Sequence, residues 1–500
     1  MKKLLLALAG VVALLAVVLV VNTARLSRTV AAAQVAPVAV SVDSAGAIAR
    51  FAAAVRFQTI SYEEGTQAFD SAAFRALHEH LRTSFPLVNE RLTRETVAGL
   101  SLLYTWTGTD TTLTPVVLMG HLDVVPVIPG TEAQWEQPPF SGAIAGGFVW
   151  GRGTLDDKVS VMAALEGVEG ALRGGFRPRR TIYLAFGHDE EVGGSGARAL
   201  KETLVKRGIK GPGGPGGPGG PALVLDEGGA IVPGSMVGTN GTVALVGASE
   251  KGFLSLQLRV KGAGGHSSTP PAHTAIGQLA TAITKLEASP FPLVLDGPTR
   301  EMMARLRGGM PYGQRLALSN LWLFGSLVSK GMASKPAGAA MLRTTTAATI
   351  VSGGVKANVL PIDARATVNF RIRPGESIAS VTERVRQVIG DTAVKIEAVG
   401  FRTEPSAVSD ASGAGFKALE KSLREIYPDP NLVVAPYLVV GGTDSRIWSE
   451  LSNQTFRFLA APATADALTR AHGTNERMTL AGYLTAVRFY ERLIRNTDGM

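Results

Sequence analysis

Residues 115–123, PVVLMGHLD, pass from an unbroken apolar run straight into a histidine and an aspartate. A short run that is apolar at every position and closed by glycine reads as a strand buried on both faces. Such strands belong to a largely parallel sheet with helices on either side. Two more stretches repeat the pattern, TIYLAFGHDEE at 181–191 and ALVLDEGG at 222–229. In open α/β sheets ligand sites gather beyond the carboxyl ends of the strands, so three polar ends should converge on one crevice. A fourth stretch, WGRGTLDDK at 150–158, sets two acids before an apolar helical pattern from Val161 to Leu172.

Taken singly, each stretch has an ordinary explanation. A Gly-His after a strand is usually a loop histidine. Two aspartates ahead of a helix can be an N-cap worth about 1 kcal/mol. Glu190-Glu191 could be a solvated pair, and Asp226-Glu227 a turn. Four such coincidences, spaced like successive strand-helix units, favour one shared site.

The rest of the chain narrows the class. Five hundred residues make two or three domains. Hydrophobic residues at 45% against 18% charged describe a globular chain. The absence of cysteine excludes disulfides, thiolate metal sites and cysteine nucleophiles. The net charge of +9 is spread among mixed signs with no basic, aromatic-interleaved stripe, which argues against nucleic acid. The excess suits an anionic membrane face.

After Lys2 and Lys3 the chain is apolar from Leu4 to Val21, and eighteen residues at a helical rise cover about 27 Å. Residues 1–21 read as a transmembrane anchor, with secretion after signal cleavage as the alternative. The leading lysines place the remainder outside the cytoplasm. Residues 22–45 read as a linker. GPGGPGGPGGP at 211–221 and the stretch 331–340 read as loops. The first lacks the strand-turn-helix setting that a phosphate-binding glycine motif requires. GGSGA at 193–197 lacks the final glycine of a nucleophile elbow, against a serine hydrolase.

GHLDVVP (120–126), WGRGTLDDK (150–158), HDEEVGGSGA (188–197), LDEGG (225–229), GGHSSTP (264–270) and AHGTNERM (471–478) stand in the order found in a known family. The chain resembles the di-zinc metallopeptidases and amidohydrolases related to acetylornithine deacetylase, aminoacylase and carboxypeptidase S, from about residue 45 to its end. It is most like the carboxypeptidase S branch, which includes enzymes that make and cleave N-fatty-acyl amino acids. The resemblance implies that His121 and Asp226 hold one zinc, Glu191 and His472 the other, and that Asp156 bridges two ions about 3.5 to 4 Å apart. Cobalt or manganese could substitute. Asp123 would orient the His121 imidazole, Glu190 would be the general base, and His266 would stabilise the developing oxyanion, often from a partner subunit. Asn358, Arg371, Gly442 and Thr443 match positions that contact substrate. A guanidinium at Arg371 suits a carboxylate. His188 matches no ligand position and reads as packing.

The implied fold class is α/β, a discontinuous catalytic domain over residues 46–247 and 403–500 with a mostly parallel sheet. Residues 248–402 form an inserted α+β lid. The alternation from Phe253 to Val260 and from Ala366 to Ile372 predicts strands, and Ala275 to Leu286 a helix. In the family this lid often dimerises, so a homodimer is expected, although 290–348 is longer than usual. The function implied is zinc-dependent hydrolysis of an amide or peptide bond beside a free carboxylate. The alternatives are the reverse condensation, a small-metabolite deacetylase, or a membrane-tethered binding protein without catalysis.

Overall fold

The three apolar runs are neighbouring strands. In the computed structural model, which describes residues 1–27, 35–62, 67–211, 220–427, 429–464 and 466–500, Val116–His121 lies between Ile182–Gly187 and Leu223–Asp226 and runs parallel to both. His121 is level with Gly187, so the polar segments that follow emerge at one edge of the sheet. Beyond Ile182–Gly187 lie the antiparallel strands Ser101–Trp106 and Thr93–Val97. Beyond Leu223–Asp226 lie Thr455–Arg457, Thr242–Glu250 and Val433–Val439. The sheet is therefore mixed, with its parallel part at the centre.

Both faces are covered, as continuous apolar strands demand. Leu118, Leu184 and Leu225 pack against the helices Ser44–Val55, Lys158–Arg173 and Leu480–Asn496. Val117, Met119 and Val224 face the opposite way, towards Leu200, Leu204 and Trp448.

A separate antiparallel sheet holds Thr345–Gly353, Asp363–Ile372, Gly252–Lys261 and Lys395–Thr403 in that order. On its two central strands, Asp363–Ile372 and Gly252–Lys261, burial alternates. Leu254, Leu256, Leu258 and Val260 lie under the helices Ala275–Ala288 and Ile378–Ile389, and Phe253 and Arg371 point to the other face. The stretch 331–340 is not the loop expected from its glycines and alanines. It belongs to the helices Leu321–Ala333 and Pro336–Leu342, which Pro336 separates at its first turn. An earlier helix, Gly297–Leu306, packs Met302 and Leu306 against Val243 and Ala435 of the large sheet. Most of the 211–221 loop lies outside the described residues.

The late histidine reaches the early acids through one short strand. Arg477–Thr479 pairs antiparallel with Phe148–Trp150. Just before it, the buried Glu476 forms an ion pair with Arg152 and accepts the backbone N–H groups of Gly153 (3.0 Å) and Leu155 (2.8 Å). Arg152 in turn donates to the carbonyls of His472 and Gly473, at 3.0 and 3.1 Å. Replacing Glu476 by alanine leaves a buried guanidinium without its counter-charge and two N–H groups without an acceptor, so it should lower unfolding free energy by roughly 3–5 kcal/mol. Chemical denaturation of the purified variant measures this, and an unchanged midpoint would show that the clamp carries no load.

Candidate metal centre and active site

Asp123 is the hub of the site. It is fully buried and its carboxylate accepts four contacts. Ser61 donates its hydroxyl at 2.7 Å, the N–H groups of Glu190 and Glu191 donate at 3.1 and 3.2 Å, and His121 Nδ1 lies 3.3 Å away. The His121 ring is thereby fixed with Nε2 facing the crevice. There Nε2 is 2.8 Å from Asp156 Oδ1 and 3.4 Å from Glu227 Oε1. The second oxygen of Asp156 is 2.9 Å from His472 Nε2, which is also 3.2 Å from Glu191 Oε2. Asp156 thus stands between two imidazoles, each with a second carboxylate beside it.

One expected ligand is displaced by a single residue. Asp226 does not join the cluster. It continues the face of Val224, which packs towards Trp448, and its Oδ2 accepts the N–H of Ser445 at 2.8 Å. Its neighbour Glu227 takes the place beside His121. Asp157, which reads as a helix N-cap from its position, is buried next to them, and its Oδ2 accepts the N–H of His121 at 3.3 Å. Donor atoms cluster in two overlapping triads, His121 with Asp157 and Glu227 and His121 with Asp156 and Glu191, and the contacts of His472 with Asp156 and Glu191 add a further donor at the second.

The electrostatics fit divalent cations. Burial, and after it the neighbouring carboxylates, pushes Glu227 well above the usual carboxylate range, and burial does the same to Asp157. Glu191 is raised by burial too, and its Oε1 is buried with no hydrogen-bond partner among the described residues. His472 is drawn up to about 10 by its bonds to Asp156 and Glu191. This much negative charge in a desolvated space is costly unless protons or metal ions offset it. Nitrogen and oxygen donors without sulfur are the usual set for a catalytic zinc.

Glu190 sits beside this cluster, its carboxyl raised well above normal by burial and then by Asp444. Arg446 approaches Glu190 Oε1 at 3.4 Å and donates to the Thr443 carbonyl at 2.6 Å. Asp444 and Arg446 carry no local signal in the sequence, because their place beside Glu190 is a tertiary contact. Thr443 itself turns inward, giving both its N–H and its hydroxyl to Glu250 at 2.8 and 2.7 Å. Gly442 precedes it in the same turn.

Arg371, on the small sheet, lies 4.6 Å over the Phe253 ring. Phe253 contacts Phe401, and Phe401 lies under Arg446 at 5.4 Å. A ladder of two guanidiniums and two rings therefore joins Arg371 to the neighbourhood of Glu190. His266 and Asn358 are brought together on a two-stranded ribbon, where Ser267 N–H donates to the Asn358 carbonyl at 3.2 Å. Both are exposed, His266 Nδ1 is held by Ser268 Oγ at 2.7 Å, and neither touches the metal cluster among the described residues. His188 is packing, bonded to Ser101 and edged by Phe69 and Phe74.

A cluster of carboxylates around one buried and one exposed imidazole at the carboxyl edge of such a sheet, with a basic carboxylate next to it, defines a metal-dependent hydrolase. The chain belongs to peptidase family M20/M25/M40, whose model matches residues 117–496. It is 41% identical to the probable carboxypeptidase S-like 2 of Dictyostelium discoideum over 90% of this chain and 84% of that one. It is 38% identical to the N-fatty-acyl-amino acid synthase/hydrolase PM20D1 of Xenopus tropicalis, covering 89% and 84%. The fold matches the M20 family metallo-carboxypeptidase Sso-CP2 of Sulfolobus solfataricus with a TM-score of 0.64 at 19% identity, over 91% and 99% of the two chains.

The exchange of Asp226 for Glu227 gives a direct test. Glu227→Ala should lower the metal content of the purified protein, whereas Asp226→Ala should keep its metal and lose thermal stability. Elemental analysis of the two variants side by side decides it. Metal lost from Asp226→Ala alone would reverse the assignment.

Proposed function

We propose that this protein hydrolyses an amide bond next to a free carboxylate, as a carboxypeptidase or N-acyl-amino-acid amidohydrolase. The observation that carries the reading is the placement of Glu190 between a two-histidine carboxylate cluster and a ladder ending in an uncommitted Arg371. His121, Asp156 and Glu227 would hold one divalent cation, and Glu191, His472 and Asp156 the other, with zinc suiting the donors. Such ions polarise the scissile carbonyl and acidify the attacking water.

The remaining work falls to the chain's own groups. Glu190, raised by burial, accepts the proton of the attacking water and returns it to the leaving amine. Arg371 is half-buried without an acidic partner among the described residues, and burial lowers its pKa. A substrate carboxylate would satisfy it bidentately. The names of the relatives, a carboxypeptidase S-like protein and an N-fatty-acyl-amino acid synthase/hydrolase, favour a fatty-acyl or peptidyl group on the other side of the bond. His266, with Asn358 beside it, is exposed on the smaller domain and suits donation to the oxyanion in a second copy of the chain. The apolar helix Lys2–Ser27 tethers the enzyme to a membrane, with the catalytic part outside the cytoplasm.

Two substitutions separate chemistry from recognition. Glu190→Gln should keep its metal while kcat falls about 10² to 10⁴-fold, the usual cost of removing a general base. Turnover that survives in the metal-loaded variant would refute the role. Arg371→Ala should raise KM for an N-acyl amino acid roughly 10 to 100-fold with kcat little changed, the worth of a charged hydrogen bond. The same substrate as its methyl ester should not distinguish the two proteins. An equal loss on acid and ester would show that Arg371 does not read the carboxylate.

A further inference from the structure

The helix Lys2–Ser27 is long and apolar enough to cross a membrane, its most apolar stretch having a mean hydropathy of 3.3. Its last turns are not free. Leu15, Leu19, Asn22 and Leu26 are half-buried and Thr23 is buried, a stripe on one helical face. This stripe packs on the helix Tyr312–Ser319. The buried Asn320 fastens it, donating to the Leu19 carbonyl at 3.2 Å and accepting from Asn22 Nδ2 at 2.9 Å. Arg307 donates to the Leu26 carbonyl at 3.1 Å.

Length then sets a constraint. The fully exposed part of the apolar run, Leu4 to Leu14, covers only about 16 Å at 1.5 Å per residue. The hydrocarbon core is about 30 Å thick. A span ending near Val21 must therefore include Leu15 and Leu19, the residues of that stretch that face the helix Tyr312–Ser319. Whatever touches Leu19 lies at bilayer depth.

We propose that the helices Tyr312–Ser319 and Leu321–Ala333 form a second membrane-seated element, lying in the leaflet on the catalytic side with Trp322, Leu323 and Leu327 in lipid. These side chains share one face of their helix and are 64%, 45% and 66% exposed, which no soluble surface explains. Tryptophan at the mouth of a span is the residue that favours the headgroup level. The Asn22–Asn320 pair meets the demand that polar groups at this depth find partners within the protein. Residues 297–343 hold seven basic residues against the single acid Glu301. Among them Arg300 and Lys330 line a cleft with Leu293, Leu295 and Trp322, cations beside apolar walls, as an anionic lipid headgroup requires. The bilayer in question is thus one that contains anionic lipid. The proposal rests on the reading of Leu4 to Val21 as a span.

The chain has no cysteine, so single labels can be placed in the full-length protein. Leu8→Cys, Trp322→Cys, Leu327→Cys and Gln387→Cys would each carry a fluorophore. Each would be reconstituted in vesicles of phosphatidylcholine and phosphatidylglycerol containing doxyl-labelled lipid. Leu8 reports the span, and the exposed Gln387 on the helix Ile378–Ile389 reports a surface away from it. The labels at positions 8, 322 and 327 should lose most of their fluorescence, while that at 387 keeps it. Quenching at 8 with positions 322 and 327 as bright as 387 would overturn the second element and leave the span standing. A bright label at position 8 would overturn the span and the proposal with it. Quenching at all four would mean general adsorption and equally refute it.

Discussion

The carboxylate of Asp123 is the constraint on which the site depends. It is buried at the end of a strand, where an unpaired charge would be untenable. It is satisfied by drawing together groups from three distant segments. The hydroxyl of Ser61, the imidazole of His121 and the backbone N–H groups of Glu190 and Glu191 all point at it. The same bonds that make its burial tolerable therefore aim the His121 imidazole and hold Glu190, the proposed general base, a fixed distance from it. The two adjacent glutamates suit the different roles proposed for them because their backbone is pinned at both N–H groups.

A second clamp completes the arrangement. Glu476 binds the loop that carries Asp156, and Arg152 binds the carbonyls around His472. The chain closes its metal cluster with a residue more than three hundred positions away from Asp156 by means of a buried ion pair and backbone hydrogen bonds. Such a pair contributes less to net stability than to geometry, since its own desolvation offsets much of its attraction.

Much of this was legible in the sequence. The three apolar runs predicted parallel neighbours, because a strand buried on both faces has few other places to be, and their polar ends do converge. What was not legible depended on direction rather than on residue type. Asp226 and Glu227 are equally good ligands on chemical grounds. Which one faces the crevice is fixed by the strand's pleat and by Ser445, a residue over two hundred positions away. The helices of 321–342 were hidden because glycine, serine and alanine suit a loop as well as a helix, and only packing decides. Arg446 lies beside Glu190 through a tertiary contact with no local signature. Asp157 looked like a helix cap, but its side chain makes no capping bond, and the one it accepts, from the His121 N–H, shows only in three dimensions.

The central claim is that one carboxylate, Asp156, is shared by two ions. Anomalous diffraction from crystals of the zinc-loaded protein tests it most directly. Two peaks are expected, one touching His121, Glu227 and Asp156 and the other touching Glu191, His472 and Asp156. A single peak, or a second peak bound by Asp226 away from Asp156, would contradict the shared site.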